Sequence, residues 1–166
     1  MSQKQETSGK ALLCELQATG RYLFHGSGAR VEQFEPRQAK NFVAGQKLDD
    51  DRPGVHASPL AEIAIFMGLI HRGNCPKGSF CRYELVEGED VKVLFEATQK
   101  TLDQLCHPEA FLPAGHSVSG HVYVFDKTPF TARDAIESIC YEPVRPEKVV
   151  AVGYADLPEI RIIPEP

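Results

Sequence analysis

The amino-acid sequence predicts a single domain of the α+β class, on three observations. The chain has 166 residues, which suits one domain and hardly two. Hydrophobic residues make up 42% and charged residues 25%, as in an ordinary soluble globular protein. Predicted strands outnumber predicted helices, and helices do not alternate strictly with them, which favours α+β over a doubly wound parallel sheet. We expect a disordered tail over residues 1–10 and the domain over residues 11–166.

Hydrophobic spacing and the positions of glycine and proline predict the elements of the N-terminal half. In order, they are a short helix at 11–17, a strand at 21–24, a glycine-rich turn at 25–28, a long loop at 35–53 and a short strand at 54–57. Ser58 is a natural N-cap and Pro59 fits the first position of a helix. Apolar residues then recur at helical spacing, which predicts an amphipathic helix over 59–71 that packs on a sheet.

The C-terminal half is predicted to consist mainly of strands. Residues 79–86 alternate as in a half-buried strand, and residues 120–125 are a strong strand pattern. The other predicted elements are strands at 90–95, 149–154 and 160–163 and helices at 96–107 and 132–139.

Charge and hydropathy argue against two classes of partner. The formal net charge is −5, whereas proteins that neutralise nucleic-acid phosphates usually carry a basic face. The acidic run Asp49-Asp50-Asp51 is interpreted as a solvated loop. No stretch approaches the roughly 18 consecutive apolar residues of a membrane span, and the polar N-terminus lacks the apolar region of a signal peptide. We therefore expect a cytoplasmic protein without membrane partners.

The cysteines predict neither a disulfide framework nor a metal site. There are five, an odd number, which favours free thiols in a reducing compartment. Cys75 and Cys81 do not form a Cys-x2-Cys pair, and no second ligand pair has a spacing suited to zinc.

Three ionisable residues stand beside predicted strands. His25 ends a strand and opens a Gly-Ser turn, and His56 ends a strand just before the Ser-Pro start of a helix. Glu142 lies in the run Tyr-Glu-Pro-Val, shortly before a hydrophobic strand. A single histidine is more often structural than functional, so the interpretation depends on the order and context of all three.

In this order and context the motifs resemble those of the ADP-ribosyltransferase superfamily. Its members carry a His-Gly-Thr/Ser turn on the first core strand. In a second motif, a strand ends in an aromatic residue or His, which is followed by a small residue, by Ser or Thr, and then by a helix. The third motif is an acidic residue that precedes a strand late in the chain. Residues 25–27, residues 56–58 and Glu142 occupy these places here. Residues 120–125 also resemble the Gly-Tyr-Ile-Tyr-like strand of rifampin ADP-ribosyltransferases. The resemblance covers residues 20–163 and implies a split β-sheet or barrel core with flanking helices.

The resemblance implies a mono-ADP-ribosyltransferase that uses NAD as a substrate, releases nicotinamide and transfers ADP-ribose to an acceptor. Breaking the bond between nicotinamide and ribose develops oxocarbenium character, which a nearby carboxylate stabilises. Glu142 would supply that carboxylate, with His25 and His56 as the other catalytic residues. In rifampin-modifying relatives the acidic residue follows a Pro-Phe segment, which makes Asp134 the second candidate and Glu137 the third.

The resemblance also implies a set of residues that bind NAD. They are His25, Gly26, Ser27, Arg52, His56 and Ser58. His25 would hydrogen-bond the ribose on the adenosine side, and the Gly26 backbone would pair with the carboxamide, since glycine lets a ligand approach closely. Ser27 and Ser58 would donate to ribose or phosphate. Arg52 would face the pyrophosphate as a planar donor.

His56 departs from the commonest pattern of the superfamily. Poly(ADP-ribose) polymerases and many toxins place Tyr there, where it stacks on nicotinamide. A His in this setting is similar to that of RNA 2′-phosphotransferases, which share the fold. Those enzymes have an additional N-terminal domain and a basic phosphate-binding set, neither of which is recognised in this sequence. His56 therefore bears on the subclass of transferase more than on the fold.

Two other functions stay open on the sequence. The first is an inactive module of the same fold that binds NAD, another nucleotide or a protein. The second is a two-histidine RNA phosphoesterase, in which paired His-x-Ser motifs supply acid and base, although no internal duplication is visible. For a transferase, the acidic charge favours a protein or small-molecule acceptor over nucleic acid, and residues 36–53 and 108–119 are the predicted acceptor contacts.

Overall fold

A computed structural model describes residues 8–43, 46–70, 81–86, 88, 90–107 and 119–165, with backbone alone for 38–43 and 46–51. The helices are α1 (Gly9–Ala18), α2 (Ala61–Leu69) and α3 (Gln99–Cys106), and a short 3-10 turn spans Tyr154–Asp156. The strands are β1 (Tyr22–Ser27), β2 (Arg37–Val43), β3 (Gln46–Ala57), β4 (Cys81–Val86), β5 (Lys92–Thr98), β6 (Gly120–Asp126), β7 (Thr131–Ala132), β8 (Ser138–Cys140), β9 (Lys148–Val152) and β10 (Ile160–Ile163). This mixture confirms the predicted α+β class.

The described strands form three small sheets. Their orders are β1-β6-β9 in the first sheet, β2-β3-β8-β7 in the second and β10-β5-β4 in the third. All pairs are antiparallel except β10 with β5. An isolated bridge between Phe24 and Ser58 brings the first sheet against the end of β3 in the second. These strands do not close into a barrel.

Helix α2 packs at the centre of the domain. Seven of its nine residues are buried, and they contact apolar side chains of the first sheet and Phe95 of the third. The helix predicted over 59–71 was expected to be amphipathic. Within α2 only Glu62 and Met67 are exposed, because sheets cover the helix on more than one side.

The start of α2 differs from the predicted capping. The backbone of Ser58 is bonded in both directions to Phe24, at 2.7 and 2.8 Å, and this extended pairing is incompatible with helix. The helix therefore begins at Ala61, whose N–H donates to Gln17 Oε1 at 2.8 Å. Ser58 Oγ instead accepts from the N–H of Leu60 at 3.1 Å.

Three glycines let α2 approach the first sheet closely. A Cβ at Gly26 on β1 would overlap the Ala64 carbonyl oxygen and lie 2.6 Å from the Gly68 nitrogen. A Cβ at Gly120 on β6 would overlap the Gly68 carbonyl oxygen. The glycine of the first motif is therefore required by helix packing.

Both faces of the first sheet are covered. Side chains alternate across a strand, so Val122 and Val124 of β6 join the cluster around α2 while Tyr123 and Phe125 join a second cluster. Phe34 lies at the edge of that second cluster, with ring centroids 4.8 Å from Tyr123 and 5.3 Å from Phe125.

The third sheet holds a buried carboxylate across its strands. Glu96 on β5 has no exposed side-chain surface, and it accepts from Arg161 at 2.5 Å and from Arg82 at 2.8 Å. These strands lie side by side in register, with Glu96 opposite both arginines. The hydrogen bond from Arg161, and then that from Arg82, hold the pKa of Glu96 below its usual value against the effect of burial.

Several predicted elements were wrong. The loop predicted at 35–53 is largely the β2–β3 hairpin, because two mostly polar strands pair through their backbones. The helix predicted at 132–139 is instead β7, a turn and β8. The glycine-rich turn at 25–28 is mostly strand, since β1 pairs with β6 as far as Ser27. Residues 96–98 of the helix predicted at 96–107 extend β5.

The remaining boundaries agree within a few residues. Helix α1 starts at Gly9 and is capped by Ser8, whose Oγ accepts from Ala11 N at 3.2 Å, so it enters the segment predicted as a tail. Residues 1–7 lie outside the described residues, as do 108–118 of the segment predicted to contact an acceptor.

Candidate functional site

His25 is held by two neighbours at the end of β1. Its Nδ1 lies 2.6 Å from the backbone carbonyl oxygen of His56, and because a carbonyl only accepts, Nδ1 carries a proton. The ring of Phe34 packs edge-on against the imidazole, with centroids 5.0 Å apart. In the neutral ring Nε2 is therefore a hydrogen-bond acceptor.

Burial is the main reason why the pKa of His25 is lowered from its usual 6.5. The hydrogen bond to the His56 carbonyl opposes this shift, and positive charge on His56 and Arg37 adds to it. At neutral pH the His25 imidazole is thus uncharged, with a lone pair on Nε2.

His56 and Glu137 meet because of the register between β3 and β8. His56 lies opposite Ile139, and side chains two residues apart on a strand share a face. Glu137 immediately precedes β8, two residues before Ile139, so it lies diagonally across from His56. A long side chain bridges this diagonal distance. His56 Nδ1 lies 2.5 Å from Glu137 Oε1, which makes a short hydrogen bond between imidazole and carboxylate.

A tight turn between β7 and β8 fixes the position of Glu137. The Glu137 carbonyl accepts from the N–H groups of Arg133 and Asp134, at 2.9 and 3.2 Å. Asp134 Oδ1 accepts from Ile136 N at 2.9 Å, a local bond that favours a turn over a helix. Arg133 also lies 3.6 Å from the second oxygen of Glu137. The turn thus presents two carboxylates on the side of the motif histidines.

These residues line a cavity, called the main cavity here, of about 610 Å³ including its open mouth. Its polar wall is formed by His25, His56, Ser58, Asp134 and Glu137. Its apolar wall is formed by Phe24, Ala57, Ile63, Ala64, Met67, Tyr83 and Ile136, with Gly26 beside them. An apolar pocket with a few convergent polar groups is the usual form of a small-molecule site.

A second cavity, of about 870 Å³ including open solvent, lies on the other side of the two histidines. It is reached by His25 and His56 and also by Ser27, Gln33 and Arg37. Tyr123 fixes the loop along its edge, because its hydroxyl accepts from Val31 N at 2.6 Å and donates to the Ala29 carbonyl at 2.8 Å. The two histidines therefore line both cavities. Asp134 and Glu137 are the carboxylates of the main cavity, whereas the second cavity contains both Arg37 and Glu35.

The structure brings most of the residues proposed for NAD binding together. His25, Gly26, His56 and Ser58 line the main cavity, and Ser27 lines the second cavity. Ser58 and Ser27 also accept bonds from nearby backbone, from Leu60 and Ala29 respectively.

Two predicted site residues lie outside both cavities. The guanidinium of Arg52 is stacked over the ring of Tyr141, with its carbon 3.6 Å from the ring centroid. Glu142 is exposed, and its carbonyl accepts from the thiol of Cys140 at 3.3 Å. Among the three candidate acids, Glu137 and Asp134 line the main cavity and Glu142 does not.

Tyr83 is a cavity residue that no sequence motif indicated. It lies on β4 and packs against Phe66 of α2, with ring centroids 6.1 Å apart. Its pKa is raised by burial first, and then by the negative charges of Glu137 and Asp134. Strand alternation places Tyr83 on the inner face of β4, but nothing in the sequence relates that strand to the two histidine motifs.

Comparison of the chain with protein-family models, with curated proteins and with solved structures finds no match in any of the three. Within the described residues, no three metal-ligating side chains converge, and no helix combines the length and apolarity needed to cross a bilayer.

Proposed function

We propose that the protein is an NAD-dependent ADP-ribosyltransferase whose reaction takes place in the main cavity. The observation that carries this proposal is the bond between His56 and Glu137. It places a carboxylate from the β7–β8 turn beside both histidine motifs, on the polar wall of a mostly apolar cavity.

The cavity suits the part of NAD where bonds change. The nicotinamide ring is aromatic and cationic, so apolar walls beside two carboxylates favour it. Loss of nicotinamide develops positive charge on the ribose, which Glu137 and Asp134 would stabilise from one side. This role passes from Glu142 to Glu137, since only Glu137 and Asp134 lie in the cavity.

The second cavity suits the remainder of the dinucleotide. The lone pair on His25 Nε2 would accept a bond from a ribose hydroxyl at the boundary between the two cavities. Arg37 lines the second cavity and would face the pyrophosphate in the role first given to Arg52, whose guanidinium is stacked on Tyr141.

The test is NAD binding by calorimetry followed by nicotinamide release, on the wild type and on Glu137→Gln. We expect the variant to bind NAD within a few-fold of the wild type but to release nicotinamide about 10²- to 10³-fold more slowly, as when one transition-state contact is removed. Glu147→Gln is the control, because Glu147 is likewise a carboxylate just before a strand but is exposed and lies outside the cavity.

Two results would count against the transferase. Binding without any nicotinamide release would leave an inactive NAD-binding module. No heat at millimolar NAD would remove NAD as a ligand altogether.

A two-histidine phosphoesterase is the second candidate, because both imidazoles are anchored through Nδ1 and keep Nε2 for chemistry. Paired acid and base on a phosphodiester need this arrangement. Cleavage of a 2′,3′-cyclic nucleotide by the wild type, lost in His25→Asn, would favour it over the transferase.

A further inference from the structure

We propose that His56 is the general base of the transfer, and that the acceptor is therefore a neutral group that loses a proton as it attacks, such as the hydroxyl of an alcohol or water itself. This inference rests on the proposed function and names the class of acceptor for the same cavity. Its basis is the hydrogen bond between His56 Nδ1 and Glu137, together with the buried His56 Nε2, which makes no hydrogen bond to the described residues.

Glu137 sets the tautomer of His56. A carboxylate accepts hydrogen bonds, so the 2.5 Å bond keeps a proton on His56 Nδ1 and, in the neutral ring, leaves the lone pair on Nε2. An imidazole oriented in this way by a third group is a common form of general base in enzymes that activate a nucleophile. Glu137 also stabilises the imidazolium that forms when Nε2 takes a proton.

The second ring nitrogen of His56 has no partner of its own. Nε2 is buried and makes no hydrogen bond to any residue that the structure describes. A buried polar atom left without a partner is destabilising, so its retention needs an explanation. A hydroxyl that enters the cavity and donates to Nε2 would supply the missing partner.

The surroundings of His56 agree with a base. Ionisable groups share the two cavity linings with His56. They are His25 on β1, Glu35 before β2, Arg37 on β2, Tyr83 on β4, and Asp134 and Glu137 in the β7–β8 turn, where Arg133 lies beside Glu137. Asp134 and Glu137 supply negative charge on the main-cavity side of His56, and Arg37 lines the second cavity together with His56. His25 is the weaker competitor for the proton of the acceptor, because burial lowers its pKa and so disfavours its protonated form.

The chemistry balances with NAD and an alcohol as the two reactants. The bond between the ribose C1′ and the nicotinamide nitrogen breaks, and its electron pair goes to nicotinamide. The acceptor oxygen forms the new bond to C1′ while its proton passes to His56 Nε2 and afterwards to solvent. An aromatic ring without a basic nitrogen at position 56 would stack on nicotinamide but would not take this proton.

The experiment compares nucleophiles that need a base with one that does not. Purified protein is incubated with NAD in water, in water with methanol, and in water with azide. The products measured are free ADP-ribose, its methyl glycoside and its glycosyl azide. The variants are His56→Gln, which keeps a donor for Glu137, and His56→Tyr, which keeps an aromatic ring. His107→Gln is the control, because His107 is exposed at the end of α3.

We expect both His56 variants to lose hydrolysis and methanolysis by about 10²-fold or more, as for the loss of a general base. Formation of the azide, an anion with no proton to lose, should fall by less than ~10-fold. NAD binding and the unfolding midpoint, measured in parallel, show that each variant is folded.

Two outcomes would overturn the inference, and they are distinguishable. Equal losses of methanolysis and azide formation in folded, NAD-binding variants would show that His56 acts by contact alone, with the transferase function intact. No nicotinamide release by the wild type with any of the three nucleophiles would remove the proposed function, and the inference with it.

Discussion

At the scale of single residues, the chemistry of the main cavity depends on which imidazole nitrogen carries a proton. In each histidine, an acceptor on another element keeps the proton on Nδ1. The acceptor is the backbone carbonyl of His56 for His25, and the carboxylate of Glu137 for His56. Sequence reasoning selected both histidines from their motifs. The sequence alone favoured Glu142 over Glu137, because an isolated acidic residue has no local signature. Glu137 is brought to His56 by the register of β8 on β3, which is a long-range property.

One prediction at this scale concerns the pH dependence of stability. The pKa of His25 is lower in the folded protein than its usual 6.5. Between pH 6.5 and that lowered pKa, the imidazole is therefore protonated in the unfolded chain and mostly neutral in the folded protein. The free energy of unfolding is therefore highest, as far as His25 is concerned, above pH 6.5, and it decreases as pH falls through the lowered pKa. Urea unfolding at pH 7.5 and 5.0 should show a larger loss for the wild type than for His25→Asn, which keeps a donor but does not titrate.

His107→Gln serves as the control in that comparison, since His107 is exposed. Equal losses for the wild type and His25→Asn would contradict the assignment of a neutral, buried His25.

At the scale of elements, the position of α2 decides the shape of the main cavity. Ile63, Ala64 and Met67 of this helix form part of the apolar wall, and Gly26 of the first motif lies directly beneath it. The spacing of apolar residues correctly predicted a helix that packs on a sheet. The spacing did not show that most of α2 is buried, because this depends on the third sheet, which covers it from another direction.

Replacing Gly26 with Ala should separate packing from ligand contact. The added methyl group would overlap the Ala64 carbonyl oxygen, so helix and strand must move apart, at a cost of about 1–3 kcal/mol for overpacking. Denaturant unfolding measures this loss, and NAD binding should weaken as the wall moves. Gly153→Ala is the matched control, because a Cβ there meets nothing within 4 Å. Unchanged stability in Gly26→Ala would contradict the close packing of α2 on β1.

At the scale of the whole molecule, the main cavity is assembled from parts of all three sheets. His25 comes from the first sheet, His56 from the second with Glu137 at its edge, and Tyr83 from the third. A ligand in the cavity would therefore contact elements that are far apart in sequence, and its binding energy would stabilise their mutual arrangement.

Hydrogen exchange with and without saturating NAD tests this arrangement. Amides in β1, the end of β3, β4 and the β7–β8 turn should exchange more slowly with NAD, because opening these segments would require loss of the ligand. Amides of α3, which lies outside the cavity lining, should be unaffected. Protection confined to α3 or β10, with none at the β7–β8 turn, would place the ligand elsewhere.

The sequence by itself determined the α+β class, most of the strands and helices, and the two histidine motifs, because these depend on local spacing and on residues close together along the chain. Only the tertiary structure decided which carboxylate faces the histidines, that Tyr83 belongs to the cavity, and that Arg37 rather than Arg52 lines the second one. Each of these depends on strand register and sheet packing. His56 and Glu137, for example, are 81 residues apart along the chain, and no local pattern encodes their pairing.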